Sequence, residues 1–252
     1  MRGVVDNIAY YSALLALGVI CLLWSVLTLP LYWLLPRRAA IAFGRFGIMA
    51  GFRFYTYVLE FNGVFRLDLS AIDPLAAEGP MILAPNHPSL IDAVLILSRH
   101  PNLACVMKSD LMGNLFLGPG ARLARYIRND STRQMIREGL HDLRTGGSLL
   151  LFPEGTRTTR LPVNSLKKSA CVIAKHAQVP IQTLIIDTDV GFLGKGWSVW
   201  KRPPMPITYR VRLGRRFAAP ADADQLTEEL EQYFRAELHG SMTARWVGLP
   251  WP

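Results

Sequence analysis

The sequence predicts an α/β fold, with a mainly parallel central sheet covered by helices and an N-terminal two-helix membrane anchor in front of it. Three observations carry this expectation. From about residue 58 onward, short β-rich apolar runs alternate with helical patterns, as in chains whose strands are joined by crossover helices. Residues 7–36 contain no charged side chain. The 252 residues suffice for one domain of about 200 residues plus an extra segment.

The charge-free run is longer than the roughly 20 residues that span a bilayer. A secretory signal would have a shorter apolar region, a more basic start and a small-residue cleavage site. Trp24, Tyr32 and Trp33 suit an interfacial belt, and Pro30 can kink or end the helix. In the segment that follows, Arg38, Arg45 and Arg53 fall within about 80° of one another on a helical wheel. Gly44, Gly47 and Gly51 lie roughly opposite. This predicts a second helix whose arginine stripe suits anionic headgroups and whose small-residue face admits another helix. One crossing followed by a surface helix fits, and so does a hairpin that dips into one leaflet. The positive residues follow the apolar run, which puts the body on the cytoplasmic face of the inner membrane. The anchor is expected over 1–57 and the domain over 58–252, with the boundary near Tyr57–Phe61.

Candidate strands follow at Leu59–Leu67, Met81–Ala84, Ala104–Met107, Arg125–Arg128, Ser148–Phe152, Ile181–Asp187 and Ile207–Leu213. Helical stretches lie near Leu90–Ser98, Ser131–Thr145, Ser165–His176 and Ala223–Leu238. Gly146-Gly147 ends one helix and opens the next strand, and Pro119-Gly120 and Pro203-Pro204 mark loops. Two further segments suit a membrane surface: the aromatic and basic loop Gly191–Pro204, and the apolar tail with Trp246 and Trp251.

Half the residues are apolar and 19% are charged, which excludes disorder. Cys21, Cys105 and Cys171 are too few and too scattered for a disulfide framework or a Cys-x-x-Cys metal site. The net charge of +9 belongs to the chain after residue 36, because Arg2 and Asp6 cancel. A basic body behind an apolar front suggests an anionic surface or substrate. No nucleic-acid-binding motif accompanies that charge.

Asn86-His87 ends a strand, where α/β folds bind ligands. Pro88 suits the first position of a helix, and Asp92 follows about one turn in. From there Asp92 can hold one imidazole nitrogen of His87 and leave the other as a general base. One His and one Asp are too few for a metal site. The second motif is Leu149–Arg157, a buried strand followed by the turn Pro153-Glu154-Gly155-Thr156-Arg157. Gly155 permits close backbone approach, and Arg157 offers a fork for a phosphate. Glu154 can orient that arginine or bind a substrate hydroxyl.

Together, N-H-x4-D at 86–92 and F-P-E-G-T-R at 152–157 resemble the first and third sequence blocks of the glycerolphosphate and lysophospholipid acyltransferases. Gly120–Arg128 resembles the second block, which makes Arg128 a phosphate-binding candidate, and Lys108 matches a lysine often found after the family's second strand. Val179-Pro180-Ile181 resembles the fourth block. The likeness covers about residues 57–215 and includes the two-helix anchor of several bacterial members. Two positions depart from it: Thr183 stands near a usual proline, and Ser169 stands near a usual glycine. They leave the reaction intact and bear on the acceptor.

The resemblance implies acyl transfer from acyl-coenzyme A or acyl-acyl carrier protein to the sn-2 hydroxyl of 1-acyl-glycerol-3-phosphate, giving phosphatidic acid. His87 would act as general base and Asp92 would hold it. Arg157 and Arg128 would grip the phosphate, with Lys108, Glu154, Gly155 and Thr156 in the substrate site. Backbone N–H groups after His87 would stabilise the oxyanion. The expected partners are membrane lipids and the thioester donor; no metal or organic cofactor and no nucleic acid is implied, and no oligomeric state is specified. Another lysolipid or specialised acceptor, or a non-catalytic lipid-binding role on the same fold, are the alternatives.

Overall fold

A computed structural model describes residues 2–239. The tail with Trp246 and Trp251 lies outside the described residues. Helix α1 (Arg2–Leu34) is 33 residues long, about 50 Å, and keeps Pro30 within it. A sharp turn at Leu35-Pro36 leads into α2 (Arg37–Phe61). The body continues with β1 (Phe65–Asp68), a 3₁₀ segment (Ser70–Ala77), β2 (Ile82–Pro85), α3 (Asp92–Leu97) and β3 (Leu103–Met107). Two short helices, α4 (Ser109–Met112) and α5 (Gly118–Leu123), precede β4 (Ile127–Arg128). Then come α6 (Thr132–Arg144), β5 (Ser148–Leu150), α7 (Ser169–Ala177), β6 (Ile181–Thr188), β7 (Ile207–Phe217) and α8 (Ala223–His239).

The strands form one sheet of seven in the order β1-β7-β6-β2-β5-β3-β4. From β6 to β4 all neighbours are parallel. The mainly parallel sheet is therefore as the sequence predicts. The exception is at one edge, where β7 runs antiparallel to β6 and β1 pairs parallel to β7. Central strands β2, β5 and β6 are buried along their length, which is why they are continuous apolar runs. Their side chains alternate between two cores. Leu83, Leu150 and Ile186 join the core under α1, α2 and α3. Ile82, Leu149 and Ile181 join the core under α6, α7 and α8.

Several sequence expectations change. Residues 59–61 finish α2, so β1 is only the end of the run Leu59–Leu67. Pro119-Gly120 is the first turn of α5 and not a loop; the proline has no N–H to lose there. Pro88 lies in the turn before α3, and Asp92 is the first residue of that helix.

The helices at the front lie along the body. Tyr10 of α1 donates to the Val199 carbonyl, Ser25 to that of Phe116, and Arg125 sits over the Tyr32 ring. The opposite face of α1 is exposed and apolar, with Ile8, Leu15, Leu23 and Trp33 facing outward. On α2 the small-residue face is used as expected. A Cβ on Gly44 would come 2.7 Å from the Ala124 backbone, and one on Gly47 would meet the Trp24 ring. Of the arginine stripe, Arg38 is exposed, but Arg45 and Arg53 are not used as expected. Arg45 is buried and donates to the Asn102 side chain, the Asp142 carboxylate and the Ala124 carbonyl. Arg53 donates to the Ser98 carbonyl. Both guanidinium groups face the protein, where carbonyls and a carboxylate on the body supply the acceptors that headgroups would otherwise offer.

Candidate active site

Parallel neighbours β2 and β5 end side by side, with Ile82 opposite Leu149 and Leu83 opposite Leu150. Their carboxyl ends bring together two motifs that lie roughly 60 residues apart in the chain. Asn86 extends β2 through its side chain, accepting from the Ile186 N–H at 2.7 Å and donating to the Ile186 carbonyl at 3.0 Å. That fixes the start of the turn on which His87 stands.

His87 Nδ1 lies 2.9 Å from Asp92 Oδ2. The same carboxylate oxygen accepts the Ser89 N–H at 2.8 Å. Asp92 is fully buried. Burial pushes its carboxyl up, and the hydrogen bond and charge of His87, the Ser89 N–H and the Arg157 charge pull it back. Held in this way the imidazole carries its proton on Nδ1 and presents Nε2 as an acceptor. The Phe152 ring stacks on His87 at 3.8 Å with a tilt of 24°, which leaves the imidazole no freedom to swing over that face.

Glu154 does not orient Arg157. One oxygen accepts the His87 N–H at 2.9 Å and the Thr158 hydroxyl at 2.8 Å, and the other accepts the Asn164 N–H at 2.9 Å. Burial raises its pKa, opposed by those three donors. The Thr158 N–H returns to the His87 carbonyl at 2.7 Å. The two motifs are thus stitched backbone to backbone through one buried carboxylate. The sequence places Asn86 at the end of its strand and Phe152 inside the second motif, but it announces neither the Phe152 stacking nor Thr158 and Asn164.

Gly155 has φ +69°, a conformation that glycine adopts without strain, and Lys167 passes across it. Arg157 donates to the Leu193 and Gly194 carbonyls at 2.9 and 3.0 Å. Arg128 is half exposed at the end of β4, paired with Asp130, and is not among the residues lining the cavity described below. The turn after His87 has few free N–H groups for an oxyanion. Ser89 N–H goes to Asp92, that of Leu90 to the Leu193 carbonyl, and that of Ile91 to the Ser89 hydroxyl.

A cavity of about 1310 Å³ opens at His87. That exceeds the roughly 300–1,000 Å³ of a small-molecule site. Away from His87 it is apolar and walled by α1 and α2, with Ala13, Leu17, Gly51 and Phe52 among its lining residues. Lys108, Lys167 and Lys168 also line it, together with Asp110, Thr156, Arg157 and Ser169, and Lys168 pairs with Asp224. Of the two departures noted in the sequence, Ser169 lines this cavity. Thr183 does not: it is buried in β6 and donates to the Arg215 carbonyl. In the loop 191–204, Phe192 is buried and Trp200 is exposed. No group of three or more metal-ligating side chains occurs among the described residues.

Residues 66–187 match the family model described as Acyltransferase. A 1-acyl-sn-glycerol-3-phosphate acyltransferase of Pseudomonas aeruginosa is 23% identical over 235 residues, covering 91% of this chain and 87% of that protein. The crystal structure of the 1-acyl-sn-glycerophosphate (LPA) acyltransferase PlsC from Thermotoga maritima superposes with a TM-score of 0.69 at 19% identity. The match covers 100% of this chain and 98% of that one, and at this identity it speaks for the fold.

Proposed function

We propose that this chain, whose residues 66–187 are a domain of the acyltransferase family, acylates the sn-2 hydroxyl of 1-acyl-glycerol-3-phosphate at a membrane surface. The observation that carries this is the position of His87. It lines a largely apolar cavity to which Lys108, Lys167 and Lys168 also contribute, and its Nδ1 is held by Asp92. The relative from Pseudomonas aeruginosa, named for the same reaction, supports the acceptor.

In this reading the acyl chains lie along α1 and α2, and the anionic groups meet Lys108, Lys167 and Lys168. His87 Nε2 takes the proton of the acceptor hydroxyl as its oxygen attacks the thioester carbonyl. Asp92 stabilises the imidazolium that forms. The tetrahedral intermediate collapses, its C–S bond breaks, and the departing thiolate takes the proton back from Nε2. Coenzyme A or acyl carrier protein leaves as the free thiol, and no acyl-enzyme forms. Glu154 and Gly155 shape the turn that holds His87. The acyl donor is a substrate, and the residues around His87 perform the proton transfers without a further cofactor.

The outer apolar face of α1, together with its contacts to the body along its length, supports insertion into one leaflet over a crossing. We place the body on the cytoplasmic face of the inner membrane, because the positive residues follow the apolar run. A lysolipid other than 1-acyl-glycerol-3-phosphate has support from one residue, Ser169 lining the cavity.

The test is transfer in vesicles, with labelled acyl-coenzyme A and acyl-carrier protein offered separately against 1-acyl-glycerol-3-phosphate and a panel of other lysolipids. Phosphatidic acid made by the wild type and lost in His87→Ala is the expected result. Product from another lysolipid alone would overturn the acceptor and keep the mechanism.

A further inference from the structure

The loop between β6 and β7 carries two tryptophans in different settings. Trp197 packs edge-on against the buried Phe192, with ring centroids 5.9 Å apart, and its indole N–H donates to the Lys201 carbonyl at 2.9 Å. Next to it the chain makes a tight turn. The Lys201 N–H donates to the Ser198 carbonyl at 2.9 Å, and the Trp200 N–H donates to the Ser198 hydroxyl at 3.3 Å. Val199 and Trp200 stand at the tip of that turn, 40% and 73% exposed. Two large apolar side chains thus face outward from a turn whose base is fixed.

The carbonyls of the tip are partnered by α1. Tyr10 donates to that of Val199 at 2.6 Å, and Tyr11 donates to that of Trp200 at 3.1 Å. A backbone carbonyl carried into hydrocarbon without a donor is costly, and both of these are satisfied within the protein. A third tie joins Arg202 to Asp6 of α1 at 3.3 Å. The Tyr11 bond sets Trp200 beside the exposed apolar stripe of α1, on which Ile8, Tyr11 and Leu15 follow one another at about one turn. Lys195 and Lys201 are exposed on either side of the tip, and Lys201 Nζ stands 5.0 Å from the centre of the Trp197 ring. Tryptophan flanked by lysines suits the anionic headgroup layer of a bilayer.

We infer that the Val199–Trp200 turn is a second membrane-contact site, which enters the leaflet in which α1 lies and sets Lys195 and Lys201 at the level of the headgroups. This rests on the reading of α1 as inserted in one leaflet, and on nothing in the acyl-transfer chemistry. A single apolar helix at an interface can roll about its own axis. A second contact, held off that axis by Tyr10, Tyr11 and Asp6, fixes the roll and so the aspect of the body toward the lipid. Val199 and Tyr10 also line the cavity, which puts lipid at the tip next to the cavity wall.

The experiment uses the full-length chain in vesicles of phosphatidylcholine with phosphatidylglycerol. The three native cysteines, all buried, are changed to alanine, and one fluorescent thiol label is attached at Trp200→Cys, Leu15→Cys or Gln225→Cys. Gln225 is exposed on α8, which packs on the opposite face of the sheet from α1. The quencher is a lipid spin-labelled near the headgroup end of its acyl chain. At the depth of roughly 5–10 Å that an interfacial contact reaches, the label at 200 should be quenched to within about twofold of the label at 15, and the label at 225 should be untouched. A label at 200 quenched no more than that at 225, with the label at 15 quenched, would overturn the inference and leave the reading of α1 intact. A label at 200 that neither aqueous iodide nor the lipid quencher reaches would overturn it as well, by showing that a second copy covers the tip. An unquenched label at 15 would overturn the reading of α1, and quenching at 200 would still decide whether the tip meets lipid. If the cysteine-free chain does not fold, the wild type and Trp200→Phe are compared in brominated lipid. The wild type should lose the larger share of its tryptophan emission, and equal losses would overturn the inference.

Discussion

The Arg45 guanidinium on α2 reaches the Asp142 carboxylate on α6 at 2.5 Å, with side-chain exposures of 2% and 14%. This ion pair fastens the second helix to the body from within. Removing one partner strands the other in a place with little water. Arg45→Met should cost about 3–5 kcal/mol, and the paired change Arg45→Met with Asp142→Leu should recover most of that. Chemical denaturation midpoints in detergent test both. A single variant as stable as the wild type would show the pair to be idle.

The His87–Asp92 pair yields a sharper expectation. Asp92→Asn keeps an acceptor for the Ser89 N–H and removes the charge that offsets an imidazolium. Transfer should fall about 10²–10⁴-fold, the range of general-base contributions. Because burial already raises the Asp92 pKa, the neutral amide should not lower the melting midpoint. Loss of activity together with unfolding would mean that the carboxylate serves the fold first.

Glu154 accepts three donors and offers none. Glu154→Gln turns one oxygen into an NH₂ group and sets it against a donor. The cost should be about 1–3 kcal/mol of stability. Activity should fall as well, because the His87 backbone loses its tie. Circular dichroism melts read alongside transfer rates decide this. An amide variant equal to wild type in both would remove Glu154 from the account.

Trp24 of α1 is held in a slot between two glycines. A Cβ on Gly47 would come 1.9 Å from its ring, and one on Gly120 would come 2.6 Å from it. Alanine at either position should destabilise by about 1–3 kcal/mol through overpacking. Gly18, whose Cβ would meet nothing within 4 Å, is the control and should gain slightly from helix propensity. Equal melting midpoints for all three would show that the helices do not pack in this way.

His100 supplies a pH dependence. It is 4% exposed, and its pKa is pushed down to about 4, first by burial and then by the Arg45 charge. In the unfolded chain it titrates near 6.5. Between those values the unfolded state takes up a proton that the folded state refuses, so stability rises with pH across the window. The contribution is complete above about pH 6.5 and is lost as pH falls toward 4. His100→Gln keeps an acceptor for the Asn102 N–H and does not titrate. From pH 7 to 4.5 the wild type should lose about 2–3 kcal/mol more than the variant. Parallel pH profiles would contradict this.

The sheet was legible because its central strands are buried on both faces, which forces uninterrupted apolar runs such as ILAP and LLL. The His87–Asp92 pair was legible because a short turn limits where the carboxylate can reach. What escaped was set by distant residues. Nothing near Arg45 announces Asp142, 97 positions later, so its stripe looked like one for headgroups. The acceptors of Arg157 lie 36 and 37 positions on, in a loop whose backbone the sequence does not specify. Arg128 matched a pattern yet ended beside Asp130, two residues away, at the sheet edge.

The 189-residue separation between Tyr10 and its acceptor Val199 has a consequence in time. At about 5–20 residues per second, the ribosome needs roughly 10–40 s after making Tyr10 to supply Val199. Throughout that interval α1 is complete and apolar, while the body against which it will close is unfinished. A bilayer that receives this helix at birth would shelter it until the last strands arrive. The lipid would then serve the nascent chain as a chaperone before it serves the finished protein as a source of substrate.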